Sequence, residues 1–311
     1  MGFSDGYGAP RPEVHQESVA TIQAALDSGI NLLDTADFYG SGHNELLIRE
    51  ALKGRHRDQA ILSVKFGVMR DPKGGLNGLD NRPSAIWNFI AYSLKRLDVE
   101  YIDIYRPARI DPDVPVEETI GAIADLVKAG YVRHIALSEV NAETVRRAAA
   151  VHPIVDLQIE YSLLERRLEG TLLNTCRELG ISITAYGVLA RGLLGGHIRT
   201  TLPAGDLRGS SPRFQGGNLQ ENLELAERLR VASRALDATP AQAAIAWVAA
   251  QGPDIFPLVG TRSRSRLVEA IGAANLKLTA AHAGALSAVV PAGAAIGSAF
   301  PVDQQDSRWE Q

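Results

Sequence analysis

The sequence has little of what builds disulfide frameworks or metal centres. One cysteine, Cys176, occurs among the 311 residues, so no disulfide can form within the chain. A packed core thiol is the favoured interpretation of Cys176, and a single cysteine fits the reducing cytoplasm, where we expect the protein. The histidines show no metal-ligand spacing, so no metal site is predicted.

Long apolar runs and a strong charge imbalance are also missing. No segment approaches the roughly 20 apolar residues of a membrane span, and the first residues lack the basic start and apolar core of a signal peptide. The formal net charge of −4 gives no reason to expect nucleic acid or an anionic membrane as partner. We therefore expect a partner that is a small molecule, and the oligomeric state stays open.

Apolar runs typical of buried strands alternate along the chain with amphipathic segments typical of helices. The predicted strands are residues 30–36, 60–67, 101–108, 132–139, 156–162, 182–188 and 255–261. Predicted helices lie between the strands, among them one over residues 165–179. This alternation predicts a parallel sheet covered by helices. Polar residues follow many successive strands rather than one switch point, which favours a (β/α)8 barrel over a doubly wound sheet.

Seven strands are predicted where a closed barrel needs eight. The first helix is expected over about residues 13–28, so the N-terminal hairpin and first strand of such a barrel are missing from the prediction. A shortened chain and a start codon assigned downstream of the true one are the two explanations. We expect one barrel domain over residues 1–311, with an active-site loop at 191–218 and a C-terminal tail at 291–311.

Three polar residues lie at or just after the carboxyl ends of the first two predicted strands and suit proton transfer. They are Asp34, Tyr39 and Lys65. A phenol is a weak acid with a reference pKa of about 10, and a neighbouring ammonium group lowers that pKa. A buried lysine without a partner is costly, and pairing with Asp34 removes that cost. The trio could therefore donate a proton to a carbonyl, or Asp34 and Lys65 could be a purely structural ion pair.

The motifs that hold these residues resemble those of the aldo-keto reductases, in particular the bacterial NADP-dependent members. They read Leu-Leu-Asp34-Thr-Ala-Asp-Phe-Tyr39-Gly, Ser-Val-Lys65-Phe-Gly and Tyr105-Arg-Pro-Ala108-Arg. The resemblance implies a tetrad of Asp, Tyr, Lys and His, and Ala108 stands where the family places its histidine.

Three outcomes of this replacement are open. Tyr39 and Lys65 could suffice to reduce reactive substrates, with water or Arg106 in place of the histidine. The altered pocket could instead suit a larger substrate or a different reduction. In the third outcome the protein binds NADPH without turnover.

The resemblance also implies that the dinucleotide cofactor binds in an extended conformation. The sequence has no Gly-x-Gly-x-x-Gly between a predicted strand and a predicted helix, so it gives no support for a Rossmann site. Its 2′-phosphate would lie where Arg262, Arg264 and Arg266 begin a predicted helix, which favours NADPH over NADH. The residues implied here are Gly260, Thr261, Arg262, Arg266 and Glu269. A solvated basic helix start is the alternative interpretation.

Residues for the nicotinamide half follow from the same resemblance. Ser138, Glu139 and Gln158 would hold the carboxamide, Tyr186 would stack on the ring, and a loop with Arg191 and Gly192 would cover the pyrophosphate. Any one of them alone would more often be core or surface. Together they predict an NADPH-dependent reductase of aldehydes or ketones with Tyr39 as proton donor, or alternatively an NADPH-binding regulatory protein with weak or no turnover.

Overall fold

The computed structural model describes residues 1–4, 12–55, 57–198, 202 and 206–300. Part of the predicted 191–218 loop, and the tail from residue 301 onward, lie outside the described residues. The strands are β1 Leu32–Ala36, β2 Ile61–Phe66, β3 Val68–Arg70, β4 Leu76–Leu79, β5 Ile102–Pro107, β6 Val132–Ser138, β7 Ile154–Glu160, β8 Ser182–Tyr186 and β9 Ile255–Pro257. The α-helices are α1 Pro12–Asp27, α2 His43–Leu52, α3 Pro83–Leu97, α4 Val116–Lys128, α5 Ala142–Val151, α6 Thr171–Glu178, α7 Gly216–Arg234, α8 Pro240–Ala249, α9 Arg264–Gly272 and α10 Ala280–Val289.

Seven strands form one parallel sheet in the order β1-β2-β5-β6-β7-β8-β9. The prediction of seven barrel strands is therefore confirmed. Among the described residues β1 and β9 are the two edges of this curled sheet. The helix layer continues past that gap, because α9 packs against both α8 and α1.

A short antiparallel hairpin of β3 and β4 follows β2 and was not predicted. Its strands have three and four residues and are largely exposed, so no apolar alternation marks them in the sequence. The hairpin lies at the carboxyl ends of the parallel strands, because Gly67 alone separates β2 from β3. We call this side of the sheet its catalytic end, after the sequence-based expectation.

Local signals set most helix ends. Thr239 and Gln242 form a capping box at the start of α8, and Asn141 caps α5. The helix predicted from residue 165 begins only at Thr171. Residues 162–165 form a tight turn, and Gly170 at φ 91° starts the helix from a backbone conformation that suits glycine.

The two faces of the strands differ in chemistry. In β2 the alternate residues Leu62, Val64 and Phe66 are fully buried in the apolar core. Ser63 and Lys65 point the other way, into the interior of the curled sheet, where they meet charged side chains of neighbouring strands. The interior of the sheet therefore carries a polar network below the catalytic end.

None of the helices among the described residues combines the length and the apolar character that crossing a bilayer requires.

Candidate active site

Asp34 lies at the centre of a buried polar network. Its Oδ2 accepts a hydrogen bond from Lys65 Nζ, and its Oδ1 accepts one from Ser63 Oγ at 2.9 Å and one from Gln158 Nε2 at 2.8 Å. Burial alone raises the pKa of Asp34, but the positive charges of Lys65 and Arg106 outweigh it and lower that pKa. Asp34 is therefore held as a carboxylate that keeps Lys65 in place.

Tyr39 lies on the loop after β1, beside this ion pair. Lys65 Nζ is 5.2 Å from the centroid of the Tyr39 ring. Burial raises the pKa of Tyr39, and Lys65 and Arg109 oppose this while Asp34 adds to it, so that the net shift is upward. Desolvation of the phenol is the largest of these effects on the pKa of Tyr39. Lys65 acts in the predicted direction but does not reverse the shift.

Arg106 contacts this polar network from inside the sheet and does not reach the catalytic end. Its guanidinium pairs with Asp156 at 2.6 and 3.0 Å and donates to Ser63 Oγ at 2.8 Å, and the side chain is fully buried. Burial raises the pKa of Asp156, against the effect of Arg106. The alternative in which Arg106 takes the place of the missing histidine has no support, because its hydrogen bonds to Asp156 and Ser63 hold the guanidinium inside the sheet.

Ala108 follows β5 directly and is buried at 3% exposure. Its N–H donates to Phe66 O at 2.8 Å, which continues the sheet ladder past Pro107. The next residue, Arg109, folds its side chain back so that Nη1 donates to Ala108 O at 2.6 Å. A methyl group and a guanidinium thus occupy this part of the strand end.

A second cluster lies at the ends of β6, β7 and β8. Glu139 Oε1 accepts hydrogen bonds from Tyr186 Oη at 2.6 Å and from the N–H of Glu160 at 2.9 Å. Ser138 is the register partner of Gln158, and Glu160 is the partner of Tyr186. Sequence reasoning placed Ser138, Glu139 and Tyr186 here but missed Glu160, whose only sequence signal is its place at a strand end.

Several buried polar atoms in this cluster have no hydrogen-bond partner among the described residues. They are Glu139 Oε2, both carboxyl oxygens of Glu160, and Nη1 of Arg213, which belongs to the turn Pro212–Phe214. Burial, with Glu165 and Glu139 nearby, raises the pKa of Glu160 to about 7, while Arg191 and Arg213 oppose this. Unsatisfied buried groups are rare in proteins, and these fit the amide of a nicotinamide, which carries both a donor and an acceptor.

The predicted cover loop is held against the C-terminal segment. Arg191 has φ 55°, its Nη1 donates to Ser211 Oγ at 3.3 Å, and its guanidinium lies 4.1 Å from the centroid of the Phe300 ring. Gly192 has φ 99°, which glycine adopts readily. Arg208 bonds to Arg191 O at 3.0 Å and so fastens the loop to a later turn.

The helix start at α9 differs from the expected phosphate cradle. Glu17 of α1 accepts hydrogen bonds from the N–H of Arg264 at 2.8 Å and from its guanidinium at 3.0 Å. Ser263 caps the helix, and the Thr261 hydroxyl donates to Ser263 O at 3.1 Å. The carboxylate of Glu17 thus lies where the free backbone N–H groups were expected to meet a phosphate, and Arg264 serves to join α9 to α1.

Arg262 and Arg266 remain on the exposed rim near Gly260. Arg266 pairs with Glu269 at 3.2 Å and with the ring of His197, which sequence reasoning had left without a role. The charge of Arg262 acts on Asp206, in the same loop region as His197. Two arginines, rather than three, could therefore meet a 2′-phosphate.

The described residues also contain no cluster of three or more histidine, cysteine, aspartate or glutamate side chains with the geometry of a metal site. The strand ends carry a phenol beside a lysine, and buried carboxyl groups.

Comparisons with known proteins agree with this arrangement. A sequence model of the aldo/keto reductase family matches residues 1–291. A protein named probable aldo-keto reductase 1 from Glycine max is 39% identical over 301 residues, which are 96% of this chain and 86% of that protein.

Solved structures are similar as well. A glycerol dehydrogenase from Gluconobacter oxydans has a TM-score of 0.84 and 30% identity, over 93% of this chain and 89% of that one. A thermostable aldo-keto reductase in complex with the inhibitor epalrestat has a TM-score of 0.72 and 26% identity, over 92% of this chain and 93% of that one.

The chain belongs to the aldo/keto reductase family. Its curled parallel sheet with outer helices is the (β/α)8 barrel of that family, with seven strands in the part of the chain that the structure describes. Members of the family are oxidoreductases that act on small carbonyl compounds and generally use NAD(P)H, so this chain is an oxidoreductase of that class.

Proposed function

We propose that this protein uses NADPH to reduce an aldehyde or ketone to an alcohol, with Tyr39 as the proton donor. The observation that carries the proposal is the position of Lys65. Asp34 holds its ammonium group, and that group lies beside the Tyr39 ring. A cation at this point stabilises the phenolate that remains after proton transfer. Asp34, Tyr39 and Lys65 are the proposed catalytic residues.

The nicotinamide would supply a hydride to the carbonyl carbon. Tyr39 then gives its proton to the carbonyl oxygen, so that hydride and proton together complete the alcohol. Lys65 favours phenolate at Tyr39, and Asp34 keeps Lys65 charged and oriented. The raised pKa of Tyr39 keeps the phenol protonated at neutral pH, as a donor must be.

The cofactor would lie along the strand ends from β6 to β9. For the nicotinamide and pyrophosphate we propose Ser138, Glu139, Gln158, Tyr186, Arg191 and Gly192. For the 2′-phosphate end we propose Gly260, Thr261, Arg262, Arg266 and Glu269. Gln158 donates to Asp34 in the structure, so it would turn from that bond to the carboxamide or share its amide between the two.

Ala108 favours a second candidate function. The histidine is absent, and burial raises the pKa of Tyr39, which makes the phenol a weaker acid. The protein could therefore bind NADPH as a regulatory or sensor protein with weak or no turnover. In either function we propose one barrel domain over residues 1–311, a cytoplasmic setting, and no nucleic-acid or membrane partner.

One paired measurement separates the two functions. NADPH is titrated by its fluorescence, and its oxidation is then followed with a panel of reactive aldehydes, for wild type and Tyr39→Phe. We expect equal NADPH affinity and a loss of turnover of about 10³-fold or more in Tyr39→Phe, because general acid catalysis contributes on the order of 10²–10⁴. Tyr92→Phe, which alters an exposed tyrosine of α3, is the matched control.

Tight NADPH binding without Tyr39-dependent turnover would leave the regulatory function as the better account. If NADPH does not bind, both proposals fail.

A further inference from the structure

The place of the tetrad histidine is filled by a side chain that cannot donate a hydrogen bond. Ala108 is buried, and its backbone N–H is already bonded to Phe66 O. The carbonyl oxygen of a substrate beside Tyr39 would therefore lose one donor there. Loss of one such donor typically costs on the order of 10²–10³ in rate.

The neighbouring Arg109 lies where it can supply that donor. Its Nη1 bonds to Ala108 O at 2.6 Å, which holds the guanidinium over Ala108. Its Nε and Nη2 make no hydrogen bond within the part of the chain that the structure describes, and no described carboxylate pairs with it. One edge of a partly buried guanidinium, with two parallel N–H groups, is thus left for a ligand.

The charge of Arg109 acts on the phenols at both sides of the proposed substrate position. Burial raises the pKa of Tyr39 and of Tyr186, and in each case Arg109 opposes that shift. The guanidinium is therefore close enough to both phenols for its charge to act on each. Because Arg109 follows Ala108 directly and bonds to its carbonyl, the guanidinium lies at the strand end where the family places its histidine.

Other cationic groups near the strand ends are already engaged. Arg106 pairs with Asp156 and Ser63, and Arg191 contacts Ser211 and Phe300. His43, on the helix after Tyr39, bonds through Nδ1 to Ser4 Oγ at 3.0 Å. Among these groups Arg109 is the one that bonds to no side chain of the described residues and only to a backbone carbonyl.

We propose that Arg109 binds the substrate in place of the histidine and selects carbonyl compounds that carry a carboxylate next to the carbonyl, the 2-oxo acids. A guanidinium edge pairs with two oxygens side by side, and in a 2-oxo acid these are the carbonyl oxygen and one carboxylate oxygen. The carboxylate also neutralises a cation that lacks an acidic partner. The inference rests on the proposed function, because it assigns the substrate class of the same site.

Kinetics with a matched pair of ketones tests this selection. Benzoylformate and acetophenone share a phenyl ketone and differ in the carboxylate. In Arg109→Met we expect kcat/KM for benzoylformate to fall by about 10²-fold or more and that for acetophenone by at least tenfold less, with NADPH affinity unchanged. Arg109→Lys, which keeps the charge but not the fork, should lie between wild type and Arg109→Met.

A control and a second readout exclude a merely structural role. Arg147→Met removes an arginine that pairs with Glu117 on the outer helices and should change neither substrate. The basic limb of the pH profile of kcat should move to higher pH in Arg109→Met, because the charge that opposes the upward pKa shift of Tyr39 is gone. Equal losses for the two ketones would overturn the inference.

A binding measurement decides the inference without turnover. Oxamate, a 2-oxo acid analogue that is not reduced, is titrated calorimetrically into the protein alone and with NADP⁺. We expect binding in wild type that weakens at least tenfold in Arg109→Met. Oxamate affinity that is undetectable in wild type, or equal in both proteins, contradicts the inference. If NADPH does not bind, the proposed function fails, and the titration of the protein alone still decides the role of Arg109.

Discussion

Two halves of the catalytic end differ in how well their buried polar groups are satisfied. In the first, formed by Asp34, Ser63, Lys65, Arg106 and Asp156, an unbroken chain of hydrogen bonds joins the five side chains. We call it the paired half. In the second, formed by Glu139, Glu160 and Arg213, carboxyl oxygens and a guanidinium nitrogen are buried without partners among the described residues. We call it the open half.

This difference indicates two kinds of task. Buried charges that are bonded to one another are fixed in position. In the paired half Nε of Arg106 alone lacks a hydrogen-bond partner among the described residues, and the remaining bonds hold Lys65 beside Tyr39. Buried polar groups without partners cost free energy, and a ligand that satisfies them recovers it. The paired half is therefore suited to hold the proton-donating group, and the open half to bind the polar end of a cofactor.

The largest expected effect comes from breaking the paired half. Lys65→Met leaves Asp34 as a buried carboxylate with two neutral donors, and we expect a loss of about 3 to 5 kcal/mol in the free energy of unfolding. Urea denaturation measures it. The double variant Asp34→Asn with Lys65→Met should recover part of the loss. An equal loss in the single and the double variant would show that Lys65 contributes to the free energy of unfolding by its packing and not by its charge.

Next comes removal of charge from the open half. The carboxyl of Glu160 has a folded pKa of about 7 against a usual 4.5, so between these values the folded protein binds more protons than the unfolded one. Its contribution to the free energy of unfolding therefore falls as pH rises from 4.5 to 7, by about 3 kcal/mol in total. Glu160→Gln should remove that decline and be more stable than wild type above pH 7.

Thermal or urea unfolding between pH 5 and 8 checks this pH dependence. Some decline should remain in Glu160→Gln, because burial also raises the pKa of Asp37, to about 8. The exposed Glu143→Gln should follow wild type throughout. A Glu160→Gln profile parallel to wild type would mean that Glu160 is already ionised in the folded protein.

A smaller effect is expected from restoring the histidine beside the paired half. Ala108→His should raise kcat/KM for a simple aldehyde by about tenfold, because a donor to the carbonyl oxygen is added. For benzoylformate the gain should be smaller, since Arg109 already serves that substrate. Steady-state assays measure both, and no gain for either substrate would indicate that the pocket around Ala108 is reshaped.

The smallest expected effect concerns the far end of the cofactor site. Glu17→Gln weakens the contact with Arg264, so the start of α9 is freer to meet a phosphate. NADPH affinity should rise by about threefold while NADH affinity stays constant. Fluorescence titration with both nucleotides measures these affinities. An equal change in both would show that Glu17 does not affect the preference for NADPH over NADH.

The sequence predicted the sheet and the proton-donating trio because both depend on short-range patterns. Strand-helix alternation placed Asp34 and Lys65 at neighbouring strand ends, and the cost of burying a lone lysine predicted their contact. The hairpin β3–β4 escaped prediction because its strands are short and exposed. The late start of α6 escaped because a turn and Gly170 interrupt a segment with helical composition.

Errors at the site came from contacts that are distant in sequence. Arg106 was one alternative for the missing histidine, but its partner Asp156 lies on a strand 50 residues later, inside the sheet. Glu17 reaches Arg264 across 247 residues, so the sequence near α9 gives no sign that its backbone N–H is already bonded. The same holds for the oxygens of Glu160 that have no hydrogen-bond partner among the described residues. Their surroundings come from β6, β7 and β8, which only the folded chain brings together.

By itself, the sequence determined the strand-helix order, the family and the presence of Asp34, Tyr39 and Lys65 with alanine in place of histidine. Tertiary structure decided which charges are paired. It bound Arg106 within the interior, folded Arg109 back onto the carbonyl of Ala108, and left the carboxyl of Glu160 without a hydrogen-bond partner among the described residues. The reason is physical: pattern and propensity act over a few residues, whereas burial and ion pairing depend on side chains that only the folded chain brings together.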